Sequence, residues 1–354
     1  MSICGALERF GMFIAIQPDY YGPNDASSPI WSRLLKEAGH EVREVNVYRA
    51  DILDQLKECD GFMWRHAHVP HMRQVAKRLL PVIEGELGLV VYPDQKTCWH
   101  YDDKIAQAQL LEAAGIPTPK TWVWFDKVAA LGWLQNAKYP IVLKLWTGAG
   151  STNVRLVQSF AEAECWICRL FNRGVSSLEP RRFSLKDRIL DVLRILFHGE
   201  LEHPWELHKN YVLFQEFLAD NEFDTRITVI GNRAFGYRRY NRPNDFRASG
   251  SGNFDVNPMY IDKETVKLAF DVAQQLGAQS VAIDGLKKGD RPVVGEISYT
   301  YVSWMVQACP GHWDSDLNWH DGSMWPEEAQ VQDFLERLEL TELKKLNGAD
   351  CNGR

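Results

Sequence analysis

No run of about 18 apolar residues, the length that a membrane-spanning helix needs, occurs in the chain. Its start also lacks a basic segment followed by an apolar one. Neither a membrane span nor a secretory leader is therefore expected, and the chain reads as cytoplasmic. Positive charge is not in excess. With 40 Lys and Arg against 47 Asp and Glu, the net charge is -7, the wrong sign for a general nucleic-acid binder. A cysteine framework is missing too. Seven cysteines scattered over 354 residues read as reduced thiols, and Cys165 and Cys168 have no second pair to complete a zinc site. Two familiar phosphate signatures are absent from the glycine-containing stretch 146–153. No Gly-Lys-Ser/Thr follows it, which excludes a P-loop, and a strand rather than a helix comes next, which excludes the dinucleotide fingerprint.

What is present is an ordinary globular composition, 45% apolar, long enough for two or three domains. Residues before Met12 show no period and read as an extension or an alternative start. From Phe13 the pattern alternates: strands over 13–18, 41–47, 61–64 and 87–92, and helices over 28–38, 51–59 and 71–84. Such alternation implies a mostly parallel sheet with ligands at the carboxyl ends of its strands. Those ends carry Gln17 and Asp19, then Arg65, His66 and His68, then Tyr92 and Asp94. His66 and His68 invite a metal reading, but in a loop followed by Pro70 a hydrogen-bonding or substrate role fits better.

Beyond Tyr101 the pattern changes. A helix opens at 102–104, with Asp102 as candidate cap, and runs to the turn 115–119. Strands follow over 121–124 and 139–145, the second ending near Lys144. The loop 146–153 comes next, where glycine lets backbone N–H groups approach phosphate oxygens closely. Apolar strands over 210–218, 224–230 and 234–240 lead past a polar loop, 244–253, to a helix over 262–276. A hairpin then joins strands 280–284 and 292–298 through the polar turn 287–290. Asp284 closes an apolar run, while Glu296 and Ser298 lie two apart and so share one face of a strand. Such a set suits Mg²⁺ with phosphate filling the rest of its shell. It would equally serve as an acidic hairpin facing solvent.

The order of these parts resembles the ATP-grasp enzymes, from residue 12 to about 340. It is similar in particular to the branch holding the ribosomal-protein glutamate ligase and bacterial glutathione synthetases. The resemblance rests on Asp103 and Lys104 before the Gly115-Ile116-Pro117-Thr118-Pro119 turn, on Lys144 and the loop 147–153, and on Gln215 to Leu218. It rests further on Asp224-Thr225-Arg226, on Asp245-Phe246-Arg247, and on the Asp284, Glu296, Ser298 series. It implies an α/β fold, α+β in part: an ATP-grasp fold behind an N-terminal Rossmann-like pre-ATP-grasp domain. The implied division is 1–97, then 98–345 with a lid over about 120–215, then a tail, 346–354.

In that family Lys104, Lys144, Gly148, Gly150, Ser151 and Thr152 would hold phosphates, and Gln215, Glu216, Phe217 and Leu218 would line the adenine. Asp284, Glu296 and Ser298 would hold Mg²⁺ (Mn²⁺ also fits), and Arg226 and Arg247 would act on an acyl-phosphate. Ser298 stands where the family usually has Asn, and the glycine loop is poorer in glycine than many. The resemblance implies a ligase that activates a small-molecule carboxylate with ATP and transfers it to an amine. A small-molecule kinase and a nucleotide-binding regulator without turnover share most of these parts. One segment exceeds the pattern, about 160–209, with Arg181, Arg182 and an amphipathic helix through Leu185, Ile189, Leu193 and Leu196. It reads as an insertion in the lid, packing there or making a homo-oligomer contact. Among 13 tryptophans, Trp304, Trp313, Trp319 and Trp325 cluster late and are expected to wall an acceptor pocket.

Overall fold

The structure, a computed structural model, describes residues 11–20, 22, 25–148, 153–178 and 206–349. The residues before Gly11, most of the glycine loop and the amphipathic part of the insertion lie outside the described residues.

Strand and helix alternate first: β1 (Phe13–Ile16), α1 (Ser28–Glu37), β2 (Glu41–Glu44), α2 (Ile52–Leu56), β3 (Gly61–Met63), α3 (Pro70–Gly85), β4 (Val90–Tyr92) and α4 (Gln95–Cys98). The strands pair in parallel in the order β2-β1-β3-β4, as helical crossovers require. Period-two alternation sends Ile14 and Ile16 to one face, against Trp31 and Leu35 of α1. Ala15 and Phe62 go to the other, against Leu80 and Ile83 of α3.

A second layer comprises α5 (Lys104–Ala113), β5 (Thr121–Trp124), α6 (Lys127–Leu134), β6 (Ile141–Lys144), β7 (Val154–Val157), α7 (Phe160–Asn172) and β8 (Val212–Glu216). Its antiparallel sheet, ordered β5-β8-β6-β7, buries Leu143 and Phe214 against Leu134 of α6 and Trp166 of α7. The helix expected to open at Asp102 is capped instead by Asp103, whose carboxylate accepts from the Ala106 N–H. Asp102 adopts a positive φ of 50° and turns to the glycine loop, accepting from the Gly148 N–H at 2.9 Å.

The third layer holds β9 (Phe223–Ile230), β10 (Arg233–Tyr240), β11 (Phe254–Asp255), α8 (Lys263–Leu276), β12 (Ser280–Lys288), β13 (Arg291–Ser298), α9 (Ser303–Gln307), β14 (Gly311–Trp313), β15 (Trp319–Asp321) and α10 (Pro326–Ala349). Its strands run β13-β12-β9-β10-β14-β15, with β11 beside β10. The stripe Val266, Ala269 and Val272 sets α8 on Ile227, Val229 and Val281. Asp262 caps that helix and Gly277, at φ 63°, ends it. β12 runs four residues past the expected end, so Asp284 sits within the strand, at a bulge between Asp284 and Gly285. A Cβ on Gly285 would come within 2.7 Å of Thr265 on α8, so the helix packs this closely only against glycine. The last helix, α10, crosses back to the first layer, where Val331, Phe334 and Leu338 join Ile14, Ile16 and Trp31.

The tryptophan cluster corrects one expectation. Trp313, 3% exposed, sits edge-to-face on Trp319 with ring centroids 4.7 Å apart, and it shares a core with Ile227 and Ile261. Trp304 lies on Phe254. Trp313 thus belongs to the core of the sheet rather than to a pocket wall. Trp313→Ala is therefore expected to cost about 3–5 kcal/mol of stability through the cavity it leaves. Denaturant unfolding should show that loss, and an unchanged midpoint would contradict the core placement.

No helix among the described residues is long and apolar enough to cross a membrane. Cys59, Cys98, Cys165, Cys168 and Cys309 are all free thiols.

Candidate functional site

Where the second and third sheets face each other, a cleft with about 380 Å³ of empty space opens. Lys104, Thr121, Lys144, Gln215 and Glu296 supply its polar lining, and Leu111, Leu213 and Val294 its apolar walls. Secondary structure explains the convergence. Lys104 begins α5, and its backbone N–H is held by the Trp146 carbonyl at 2.8 Å. Lys144 ends β6 and pairs in register with Leu213 of β8, two residues before Gln215 on the same face.

Lys104 is only 5% exposed. Its ammonium donates to the Gly148 carbonyl at 2.8 Å and lies 3.3 Å from Glu296, so one side chain joins the base of the glycine loop to the acidic hairpin. The Lys144 ammonium makes no hydrogen bond or ion pair among the described residues. It is surrounded by protein, and burial pushes its pKa down to about 8; Glu296 and Asp284 oppose that shift and Lys104 adds to it. A partnerless ammonium in a cleft is a strong site for an anion.

The sign of its titration gives a test. A lysine whose folded pKa lies below the unfolded value binds fewer protons in the native state, so stability rises with pH from about 8 toward the ordinary lysine range. A phosphate beside Lys144 restores its charge. Binding of a non-hydrolysable ATP analogue near pH 8.5 should therefore take up a proton, and analogue affinity should fall as pH climbs through about 8. Calorimetry in buffers of different ionisation heat reads the uptake. Lys144→Met should abolish it; equal uptake in that variant would remove Lys144 from the role.

Of the hinge, Gln215 lines this cleft, and none of the arginines is among the described residues that line it. The Gln215 amide donates to Thr121 Oγ1 at 2.9 Å, and Glu216 is paired with Lys288 at 2.6 Å. Phe217 meets Phe246 edge-to-face at 5.5 Å, which ties the hinge to the loop bearing Arg247. Leu218 offers its carbonyl to Asn221, which also bridges to the Lys287 backbone of β12. Arg247 forks onto Asp245, two residues away.

Asp284 and Glu296 face each other directly across the β12–β13 ladder. Glu296 is 38% exposed in its side chain, whereas Asp284 is buried within a network of charges. Arg226 donates to it twice, at 2.7 and 2.9 Å, and Arg239 approaches at 2.7 Å while also forking onto Asp224. Burial works to raise the Asp284 pKa, yet Arg226 and Arg239 outweigh it and hold the carboxyl well below the usual range. Asp224 goes the other way, raised by burial and by the Asp284 charge. The four arginines of this region, Arg226, Arg238, Arg239 and Arg247, thus divide. Arg226 and Arg239 converge on Asp284, while Arg238 stacks on Phe223 at 4.2 Å and Arg247 pairs locally.

Ser298 lies two register pairs beyond Glu296, opposite Ala282, but its hydroxyl donates to the Thr300 carbonyl at 2.8 Å. No group of three or more His, Cys, Asp or Glu gathers as a metal site among the described residues. The donor set nonetheless fits a hard divalent cation whose remaining ligands are phosphate oxygens: two facing carboxylates, one of them partly open to the cleft. Of the loop residues read as phosphate ligands, Gly148 is placed at the cleft, with φ 135°, whereas Gly150, Ser151 and Thr152 lie outside the described residues.

Sequence reasoning passed over Thr121 and Leu213. Leu213 carried a signal, since it shares a strand face with Gln215. Arg239 could be read only as one of several arginines facing the hairpin; its pairing with Asp284 depends on the registers of β10 and β12 on β9.

Residues 197–303 match the RimK-like ATP-grasp domain family. The chain is 26% identical over 261 residues to the alpha-aminoadipate–LysW ligase LysX of Saccharolobus solfataricus, covering 72% of this chain and 82% of that one. A RimK domain ATP-grasp protein from Sphaerobacter thermophilus superposes with a TM-score of 0.53 at 18% identity, covering 91% of this chain and 98% of that one. The D-alanine–D-alanine ligase of Bacillus anthracis gives 0.52 at 15%, covering 95% and 99%. The chain thus has an ATP-grasp fold, and its residues 197–303 match the family's domain. The curated relatives and the Bacillus anthracis neighbour are all named as ligases.

Proposed function

We propose that the chain activates a small-molecule carboxylate with ATP and joins it to the amine of a second small molecule of amino-acid size. The observation that carries this reading is the Lys104, Lys144, Gln215 and Glu296 cleft, where the Lys144 ammonium, without a partner among the described residues, lines the same space as a partly exposed carboxylate. The relatives named above carry the same bond chemistry in their names, joining alpha-aminoadipate to LysW and D-alanine to D-alanine.

In this proposal adenine lies against Leu213 and the hinge 215–218, where Gln215 and the backbone offer hydrogen bonds. Lys144 and Lys104 hold phosphates beneath Gly148, Gly150, Ser151 and Thr152. Mg²⁺, or Mn²⁺ in its place, would be held by Glu296 and Asp284, with Ser298 beside them, and when bound would neutralise charge on the phosphates. The substrate carboxylate attacks the γ-phosphorus of ATP, and ADP leaves. Arg226 and Arg247 steady the acyl-phosphate through charge-assisted hydrogen bonds. The amine then attacks the acyl carbon, phosphate departs, and an amide remains. The division at 1–97 and 98–345, with a lid over 120–215 and an insertion over 160–209, belongs to the same proposal.

ADP release measured over a matrix of amino acids, amino sugars and short peptides is the test. Release that requires a carboxylate and an amine together supports ligation. A stable phosphorylated product formed without any amine would make the chain a kinase instead.

A further inference from the structure

A second cleft, with about 630 Å³ of empty space, opens between α3 and α4 on the first layer. It shares no lining side chain with the nucleotide cleft. Leu80, Pro81 and Trp99 form its apolar walls, and Arg73 and Lys77 bring positive charge; no carboxylate is among the described residues that line it. His66 stands at its inner end, 3% exposed, with neither ring nitrogen meeting a hydrogen-bond partner among the described residues. Burial lowers the pKa of that imidazole to about 3, so a neutral ring holds one donor and one acceptor unmet. Buried polar groups in native proteins find a partner, in protein, water or ligand.

The lining selects a chemistry. Lys77, with 38% of its side chain exposed, lies 3.4 Å from Asp103, a long contact that leaves donors for another oxygen. A carboxylate would meet that ammonium and the positive field of Arg73, while a flat hydrocarbon body would lie against Trp99 and Leu80.

The cleft is also joined to the nucleotide site. Arg73 is buried, pairs with Glu206 at 2.7 Å and faces Asp102 at 3.7 Å. Asp102 in turn accepts from the Gly148 N–H, and the Thr147 hydroxyl lies 3.5 Å from Glu206. An anion in the cleft competes with these two carboxylates for the Arg73 charge, and both of them hold the base of the glycine loop.

We propose that this cleft is an effector site for a small carboxylic acid with an apolar body, and that its occupant weakens nucleotide binding by loosening the hold of Arg73 on the glycine-loop base. Only the second half rests on the nucleotide reading above.

Phenylpyruvate, titrated calorimetrically into the full chain without nucleotide, is the probe. Saturable heat is expected, weakened roughly tenfold or more in Lys77→Ala and when phenylethanol replaces the acid. Gln95→Trp, at an exposed position on the rim, should block entry without disturbing the core. With phenylpyruvate saturating, affinity for a non-hydrolysable ATP analogue should fall about fivefold in the wild type, and should hold steady in Gln95→Trp. No saturable heat, or equal heat in Gln95→Trp, would overturn the site. Saturable binding that leaves analogue affinity unmoved or raises it would overturn the effector role. Loss of analogue binding under every condition would count against the ligase reading, and the nucleotide-free heats would still decide the site.

Discussion

Glu296→Gln is expected to lower turnover by about 10²–10³, or about 3–4 kcal/mol in the barrier, while a non-hydrolysable ATP analogue still binds. The amide keeps the shape of the side chain and removes its charge. Of the two facing carboxylates, Asp284 is neutralised by Arg226 and Arg239, so Glu296 supplies the negative charge that the cleft can present to a divalent cation. Lys104, 3.3 Å from it, would be released toward the phosphates by the substitution, which favours retained binding. Ser298→Asn is the companion variant. An amide oxygen at 298 can take up a cation directly, so that protein should keep most of its turnover or gain slightly. ADP release and analogue affinity measured on both proteins decide the matter. An active Glu296→Gln enzyme would remove the carboxylate from the reaction, and a folded Ser298→Asn protein equally dead would remove Ser298 from the metal site.

Features written locally were legible in the chain; those made by register or by distant return were not. Helix α8 was legible as 262–276, and it runs from its cap at Asp262 to Leu276. The strands holding Lys144 and Gln215 could be read from short apolar runs, and the hairpin from its turn at Gly289. The end of β12 was misplaced because the bulge at Asp284 interrupts the alternation that a strand reading relies on. Trp313 was misread for a related reason. An aromatic beside polar residues reads as a pocket wall until pairing at Ala234 turns it into the core. The return of α10 onto β1 and α1 joins residues about 300 apart in sequence, such as Trp31 and Gln330, and no local pattern encodes that contact.

Arg239→Met should destabilise the fold by about 3–5 kcal/mol, the usual cost of leaving a buried charge without its partner. Arg239 is 5% exposed and holds two carboxylates at once, Asp224 through both oxygens and Asp284 through one. Asp284 keeps Arg226 in the variant, so the loss falls chiefly on Asp224, whose pKa is already raised by burial and by the Asp284 charge. The sign follows. A carboxyl with a folded pKa above its unfolded value binds more protons in the native state, so the variant should recover stability as pH falls toward the unfolded carboxylate range near 3.9. The wild type should move oppositely in acid, where the Asp284 pairs that hold its carboxyl low are lost on protonation. Pairing Arg239→Met with Asp224→Leu replaces charge by apolar volume and should return much of the stability at neutral pH. Denaturant midpoints for the wild type, the single and the double variant, taken at pH 5 and pH 7, give the comparison. A single variant as stable as the wild type, or a double variant less stable than the single one, would mean that Arg239 does not hold this network together.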